Sequence, residues 1–275
     1  MNGVCKSFST PHGGNHDVLS DIDFSVRAGE FTAVVGPTGC GKSTTLSLIA
    51  GTDRPDSGEV RIGGRPVDGI GKDVGFVFQR DAVFPWKTVI ANVAAGPRFR
   101  GASRGQAHAA AAEWIRRVGL AGFERYHPHQ LSGGMRKRVA LAQTMITEPR
   151  VLLMDEPFSG LDVQTRRIMS DELLSLWDLT RPSVVFVTHD LEEAISLADK
   201  VVVLTAGPAT VKEEFQIDLP RPRDPREIRH TPAFVKLHER IWQALRDEVE
   251  VAYSRGAGAR PEPVTAGTLA PESVV

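Results

Sequence analysis

The stretch VVGPTGCGKST, residues 34–44, holds Gly36, then four residues, then Gly41-Lys42-Ser43. That spacing lets a backbone curl around phosphate oxygens with its N–H groups turned inward, because glycine tolerates the left-handed turns such an arc needs. Pro37, Thr38, Gly39 and Cys40 make the arc between the glycines. A helix that follows adds the positive end of its dipole. In this pattern Lys42 reaches the β- and γ-phosphates of a nucleotide, and Ser43 holds Mg²⁺.

A second group of chemistry-bearing residues follows the apolar run in RVLLMDEP, where Asp155 and Glu156 stand at its end. Ligands meet an α/β sheet at the ends of parallel strands. Asp155 is expected in the Mg²⁺ shell, since hard cations take carboxylate oxygen. Glu156, one step on, points elsewhere and reads as the general base or water-orienting group for hydrolysis. His189 lies just beyond VVFVT and is placed to hold an attacking water or a γ-phosphate. Gln79, after VGFVF, is placed to coordinate Mg²⁺ or water.

A third feature is QLSGGMRKRVALAQ, residues 130–143. A serine and two glycines open what reads as a helix, so its first N–H groups are bare for an anion. The glycine loop already surrounds one side of a triphosphate. A second anion-binding helix start need not reach the same molecule in the same chain. It can close over the loop of a second copy, so that two copies packed head to tail complete each other's sites. Arg136, Lys137 and Arg138 then read as a solvated helix face.

Positioning these residues requires buried strands that alternate with helices. FTAVV is a continuous apolar run, as for a strand covered on both faces. STTLSLIAG reads as a helix ended by Gly51. Residues 21–27 alternate apolar and polar, which predicts a half-buried strand. GEVRIGG and VGFVFQ read as further strands. From about residue 80 to 150 the pattern is helical, with Trp114, Ile115 and Val118 on one side of an alanine-rich segment. Strands return at RVLLMDEP, PSVVFVTHD and KVVVLTAG, with helices over residues 163–177 and in LEEAISLA between them. This alternation predicts an α/β fold with a mostly parallel sheet and a helical insertion. After Gly207 a Pro- and Arg-rich connector leads to Phe234, Leu237, Ile241, Trp242, Leu245 and Val249 at helical spacing, a stripe expected to pack on its own domain. Residues 253–275 read as a disordered tail.

Composition narrows the function. The charge balance of 33 Lys+Arg against 34 Asp+Glu gives no global field for nucleic acid. Two cysteines, Cys5 and Cys40, make neither a disulfide framework nor a metal site and fit a reducing compartment. His127 and His129 lack further ligands and read as solvated loop residues. The start MNGVCKSF has no apolar core of a secretory signal. No apolar run approaches the roughly 20 residues of a membrane span, so at a membrane another chain must do the spanning.

The whole set resembles an ATP-binding cassette (ABC) ATPase over roughly residues 4–205. GPTGCGKST is similar to the Walker A motif, VLLMDE to Walker B, LSGGM to the family signature, SGLD to the D-loop and THD to the switch histidine. Gln79 falls where the family has its Q-loop glutamine. The resemblance implies a P-loop NTPase (RecA-like) core with an antiparallel β edge and an inserted α-helical subdomain. It implies an ABC ATPase domain over residues 1–207, with that subdomain at about 80–150, and an extension over 208–252. It implies ATP bound by residues 36–44, through to Thr44, with Phe8 stacked on adenine. Ser132, Gly133, Gly134 and Met135 would act across a dimer, Asp162 would link the two sites, and His189 would sense the γ-phosphate. The family's signature commonly ends in glutamine, and here Met135 stands in that place. Ser132 with a glutamine there would form a capping box; methionine cannot return the second hydrogen bond. The loss is well under the ~1 kcal/mol of a full cap, since Ser132 remains. The strand before VCKSF reads as shortened against the family.

The segment FVFQRDAVFPWKTVIANV is where the family docks on a membrane partner, and Phe84, Pro85 and Trp86 supply an apolar, stiff turn. PW, the methionine in LSGGM and the late IDLPRPRD resemble bacterial importers of nitrate, taurine, alkanesulfonates and similar small substrates. The resemblance implies transmembrane permease subunits as partners, indirectly a substrate-binding protein, no nucleic acid, and a peripheral place on the cytoplasmic face of the inner membrane. The rival within the family is a soluble ATPase acting on ribosomes or nucleic acid. A P-loop kinase or GTPase is a further rival, but it leaves LSGG and His189 without a role, and no N-K-x-D stretch for guanine is present.

Overall fold

The computed structural model describes residues 1–10, 13–80, 82–225 and 227–257. In chain order the elements are β1 (Asn2–Ser9), β2 (Asn15–Ile22), β3 (Phe31–Val35), α1 (Lys42–Ala50), β4 (Ser57–Glu59), β5 (Arg61–Ile62), β6 (Arg65–Pro66) and β7 (Val74–Val77). The helical insertion follows as α2 (Val89–Val93), α3 (Ala95–Phe99), α4 (Arg104–Arg117) and α5 (Gly133–Met145). Then come β8 (Val151–Asp155), α6 (Val163–Thr180), β9 (Ser183–Val187), α7 (Leu191–Leu197), β10 (Lys200–Leu204), β11 (Val211–Gln216) and α8 (Pro232–Ala257).

The main sheet has the order β11-β10-β3-β9-β8-β7. The pairings from β10 to β7 are parallel, and β11 joins β10 antiparallel. Successive residues of each inner strand serve opposite faces. Ala33 and Val35, Leu152 and Met154, Val184 and Phe186, and Val201 and Val203 enter one apolar cluster. Val34, Leu153, Val185, Val187, Val202 and Leu204 enter the other. Both faces are thus covered, which is why FTAVV and KVVVL carry no polar alternation. On the first face Phe31 meets the edge of Trp177 with ring centroids 5.6 Å apart, and the indole Nε1 donates to the Pro182 carbonyl at 2.8 Å.

Parallel strands in register bring their carboxyl ends to one edge. Val34 pairs with Val187, Val187 with Asp155, and Met154 with Val77. The glycine loop, Glu156, His189 and Gln79 therefore leave the sheet from the same side.

Several sequence expectations are corrected. The strand expected over 21–27 lies earlier, at Asn15–Ile22, paired antiparallel with β1. Ile22 and Phe24 are buried, and that produced the alternation. The chain leaves the ladder after Ile22, held by Met1 and Phe24 through backbone hydrogen bonds of 2.8 and 3.3 Å. β1 runs over eight residues, Asn2–Ser9. The helix expected over 163–177 continues to Thr180. β11 buries one residue in six, so its place at the sheet edge is set by backbone pairing that side-chain pattern does not record. α8 buries Phe234, Ile241 and Leu245 and leaves Trp242 and Val249 partly exposed. It runs to Ala257, past the expected start of the tail. Residues 258–275 of that tail lie outside the described residues.

The basic face of α5 is also corrected. Lys137 is buried and donates to the Gln79 carbonyl, and Arg138 pairs with Glu172 at 2.6 Å. Long basic side chains lay their methylene stems on apolar surface and carry their charge to a distant acceptor.

Candidate active site

β3 delivers the chain into the glycine loop. Gly39 and Gly41 have φ of 79° and 105°, where a side chain is strained. A Cβ on Gly41 would lie 2.6 Å from Leu19 Cδ2, so β2 presses the loop from outside. α1 begins with no side-chain cap and no acidic residue in its first turn. Its first N–H groups are therefore left for an anion. Lys42 is buried, and its Nζ donates to the carbonyls of Gly36 and Pro37 at 2.9 and 2.8 Å. Thr38, Gly39 and Ser43 face solvent, Gly41 and Thr44 are half-buried, and Gly36, Pro37 and Cys40 are buried beneath them. Burial also pushes the Cys40 thiol up, against the opposing pull of Lys42.

Asp155 ends β8. Burial raises its carboxyl above the usual range, and a hydrogen bond with Ser43 opposes the shift. Among the described residues no three His, Cys, Asp or Glu side chains gather as a metal site. Mg²⁺ bound together with substrate phosphates needs only one or two carboxylates. Ser43, Asp155 and Gln79 offer a hydroxyl, a carboxylate and an amide oxygen, a hard donor set that fits the ion.

Glu156 adopts φ of 41°, uncommon outside glycine, and its N–H donates to the Val187 carbonyl at 2.9 Å. From this turn the carboxylate meets residues that follow β7 and β9. Gln79 Nε2 donates to Glu156 Oε2 at 3.3 Å, and His189 Nδ1 lies 3.2 Å from the same oxygen. Three residues separated by as much as 110 positions thus meet on one atom.

The remaining expected residues are more dispersed. Ser132 caps α5, accepting from the Met135 N–H at 3.3 Å, with no return bond from position 135. Among the described residues no hydrogen bond joins Ser132, Gly133, Gly134 or Met135 to residues 36–44. Asp162 caps α6, accepting from the N–H groups of Gln164 and Thr165 and from the Thr165 hydroxyl at 3.1, 2.9 and 2.7 Å. Those bonds hold its carboxyl below the usual range. Phe8 on β1 presents a 43% exposed ring, with Lys6 Nζ 5.2 Å from its centroid.

At the rim, Asn92 is fully buried and staples the turn before α2. Its Oδ1 accepts from Phe84 N at 2.7 Å, and its Nδ2 donates to the carbonyls of Phe84, Lys87 and Thr88, each at 3.1 Å. Trp86 projects from this turn 72% exposed, 5.7 Å from the Phe84 ring.

Residues 19–159 match the family model described as ABC transporter. The chain belongs to the ABC transporter ATP-binding proteins. This ABC ATPase is 45% identical to an uncharacterized ABC transporter ATP-binding protein of Methanocaldococcus jannaschii, over 86% of this chain and 88% of that one. It is 41% identical to the nitrate import ATP-binding protein NrtD of a Synechocystis species, over 85% and 90% of the two chains. It is 42% identical to the taurine import ATP-binding protein TauB of Burkholderia pseudomallei, over 84% and 91%. Among solved structures it is similar to a dimeric ATP-binding cassette in a post-hydrolysis state bound to ADP and Pi. The TM-score is 0.70 at 29% identity, covering 80% of this chain and 98% of that one. This ABC ATPase binds ATP and hydrolyses it to ADP and phosphate on a P-loop core of α/β class. None of its described helices is long and apolar enough to cross a membrane.

Sequence reasoning took Lys137 for a solvated residue and missed Arg166, Asp190 and Glu193. The last three form a polar cluster behind His189. Only Asp190 had a local signal, as a helix-capping residue before LEEA.

Proposed function

We propose that this ABC ATPase works in pairs as the motor of a bacterial importer for nitrate, a sulfonate, taurine or a similar small substrate. The convergence of Gln79 and His189 on Glu156 Oε2 carries the catalytic part. In this reading residues 36–44 cradle the phosphates of ATP and Phe8 stacks on its adenine. Lys42 exchanges its two carbonyls for the β- and γ-phosphates. Glu156 accepts the proton of the attacking water. His189 holds the γ-phosphate or that water by hydrogen bond, and Gln79 orients the carboxylate. Ser43, Asp155 and Gln79 would hold Mg²⁺, which supplies neutralising charge between the phosphate oxygens when bound.

The start of α5, where Ser132 caps only the Met135 N–H, is the reason to pair two copies. Ser132, Gly133 and Gly134 of one protomer would grip the γ-phosphate lying on the other's glycine loop, with Met135 behind them. Asp162 would stand between the two sites. ATP would favour the closed pair, and hydrolysis would reopen it. Permease subunits would dock on the turn near Gln79 and Trp86, placing the ATPase peripherally on the cytoplasmic face of the inner membrane. A substrate-binding protein would choose the cargo. The relatives' names and the exposed Trp86 support this over a soluble ribosome- or nucleic-acid-directed ATPase.

Glu156→Gln tests the chemistry. Turnover is expected to fall by roughly 10²–10⁴-fold, and the mass in solution with ATP and Mg²⁺ is expected to double. A variant that hydrolyses ATP at the wild-type rate removes Glu156 as the base, and a mass that ATP leaves unchanged counts against the pair. Recovery of nucleic acid alone, with no membrane protein, from detergent-solubilised membranes would overturn the importer reading.

A further inference from the structure

Behind His189 lies a polar cluster that joins two elements far apart in sequence. Arg166 sits on α6, its N–H donating to the Asp162 carbonyl at 2.9 Å. Its guanidinium reaches in three directions. Nη2 donates to the Leu161 carbonyl at 3.3 Å, Nη1 donates to Asp190 Oδ2 at 2.9 Å, and Nε lies 3.6 Å from Glu193 Oε1. Asp190 Oδ1 caps α7 by accepting from Glu192 N and Glu193 N at 2.9 and 3.2 Å. Thr188, almost fully buried, donates its hydroxyl to Glu193 Oε2 at 2.6 Å and accepts from Asp190 N at 3.1 Å.

Both neighbours of His189 are therefore pinned, Thr188 by Glu193 and Asp190 by Arg166. The imidazole between them is 59% exposed and meets Glu156. Arg166 is the single side chain among these that touches both the 161–162 turn and the His189 loop. The arrangement is costly, since Arg166 Nε is buried without a hydrogen-bond partner. A guanidinium shared between one carbonyl and two carboxylates fixes relative position better than apolar packing would, because its donors form a rigid fork.

We propose that Arg166 is a positioning residue that sets the His189 loop according to where the Leu161–Asp162 turn lies. This rests on the reading that His189 acts beside Glu156. A second protomer that shifts the turn then moves Asp190 through the guanidinium, and His189 with it. Among the described residues no hydrogen bond or ion pair joins Arg166 to Glu156 or to residues 36–44, so its loss is expected to act on the rate of the committed step rather than on ATP binding.

The test is a double-mutant cycle on ATP turnover by the full chain. Arg166→Gln is expected to lower kcat at least fivefold with KM within threefold of wild type. Arg166→Lys, which keeps the charge but loses the fork, is expected to recover part of that loss. In a His189→Ala background, adding Arg166→Gln is expected to cost less than twofold more. A kcat loss under fivefold, a loss carried by KM, or losses that multiply in the double variant overturns the proposal. Should Arg166→Gln fail to fold by its melting curve, Asp190→Asn takes its place under the same criteria. That change keeps the α7 cap and removes the carboxylate facing the guanidinium. The underlying reading fails separately, when His189→Ala alone turns over like wild type.

Discussion

The Nζ of Lys137 donates to the main-chain carbonyl of Gln79 at 2.5 Å. One hydrogen bond thus ties α5, which begins at the Ser132–Gly134 tip, to the loop that carries an oxygen-seeking glutamine. Two regions that the proposed function brings to one nucleotide thus share a mechanical link that no motif describes.

Lys137→Met would leave that carbonyl short of its charged donor while keeping the apolar stem. The expected cost is about 2 kcal/mol. At this chain length that lowers Tm by roughly 4–8 °C, as read by calorimetry. An unchanged Tm would mean that water replaces the ammonium at no cost.

Gly41→Ala should damage ATP binding more than the fold. The new methyl would lie 2.6 Å from Leu19 Cδ2 and 2.8 Å from Val18 Cγ1, on a backbone at φ of 105°. Relief requires the loop to move, and with it the N–H groups aimed at phosphate. ATP affinity measured by calorimetric titration is expected to drop at least about tenfold, or ~1.4 kcal/mol. Wild-type affinity would show that the loop's arc is not fixed by β2.

Met135→Gln should stabilise the protein. The molecule holds its own reference: at α4, Ser103 N donates to Gln106 Oε1 at 3.0 Å and Gln106 N donates to Ser103 Oγ at 3.3 Å. α5 has only the second kind of bond. Completing the box is expected to add about 0.5 kcal/mol, a rise of roughly 1–2 °C in Tm. A decrease would mean that Met135 packs better than a glutamine can.

Glu193 should make stability depend on pH. Burial is the main cause that lifts its carboxyl from 4.5 to about 7. Asp190 adds to the rise, while the Thr188 hydrogen bond, Arg166 and His189 oppose it. Arg229 and His238 face the same cleft from the C-terminal segment. Because the folded state holds this proton more tightly than the unfolded chain, the contribution is full below pH 4.5 and is lost as pH rises toward 7. Within that window the slope is about 1.4 kcal/mol per pH unit. In urea unfolding between pH 5 and 8, Glu193→Gln is expected to gain on wild type as pH rises. Parallel curves would show that Glu193 is ionised throughout.

The glycine loop and the strands that serve it were legible because each is local. Gly36 and Gly41-Lys42-Ser43 sit in one short run between an apolar strand and a helix. The ends of β7, β8 and β9 announce Gln79, Glu156 and His189 by the same rule. The Arg166 cluster was not legible, since it is assembled between helices whose members lie 24 and 27 positions apart. Lys137 and Arg138 were misread because a run of three basic residues on a helix looks solvated until the stems are seen to reach Gln79 and Glu172. β11 has no apolar period, and the strand near residue 21 was shifted because burial of Phe24 outlasts the pairing of β2.

Asn92 gives the rim a property of its own. Because one amide locks four main-chain atoms of the Phe84–Thr88 bend, the indole of Trp86 stands on a scaffold already in its final shape. Whatever molecule seats on that ring gains contact area without first having to freeze a floppy loop. In the proposed docking, the ordering of this bend would already be supplied by the fold.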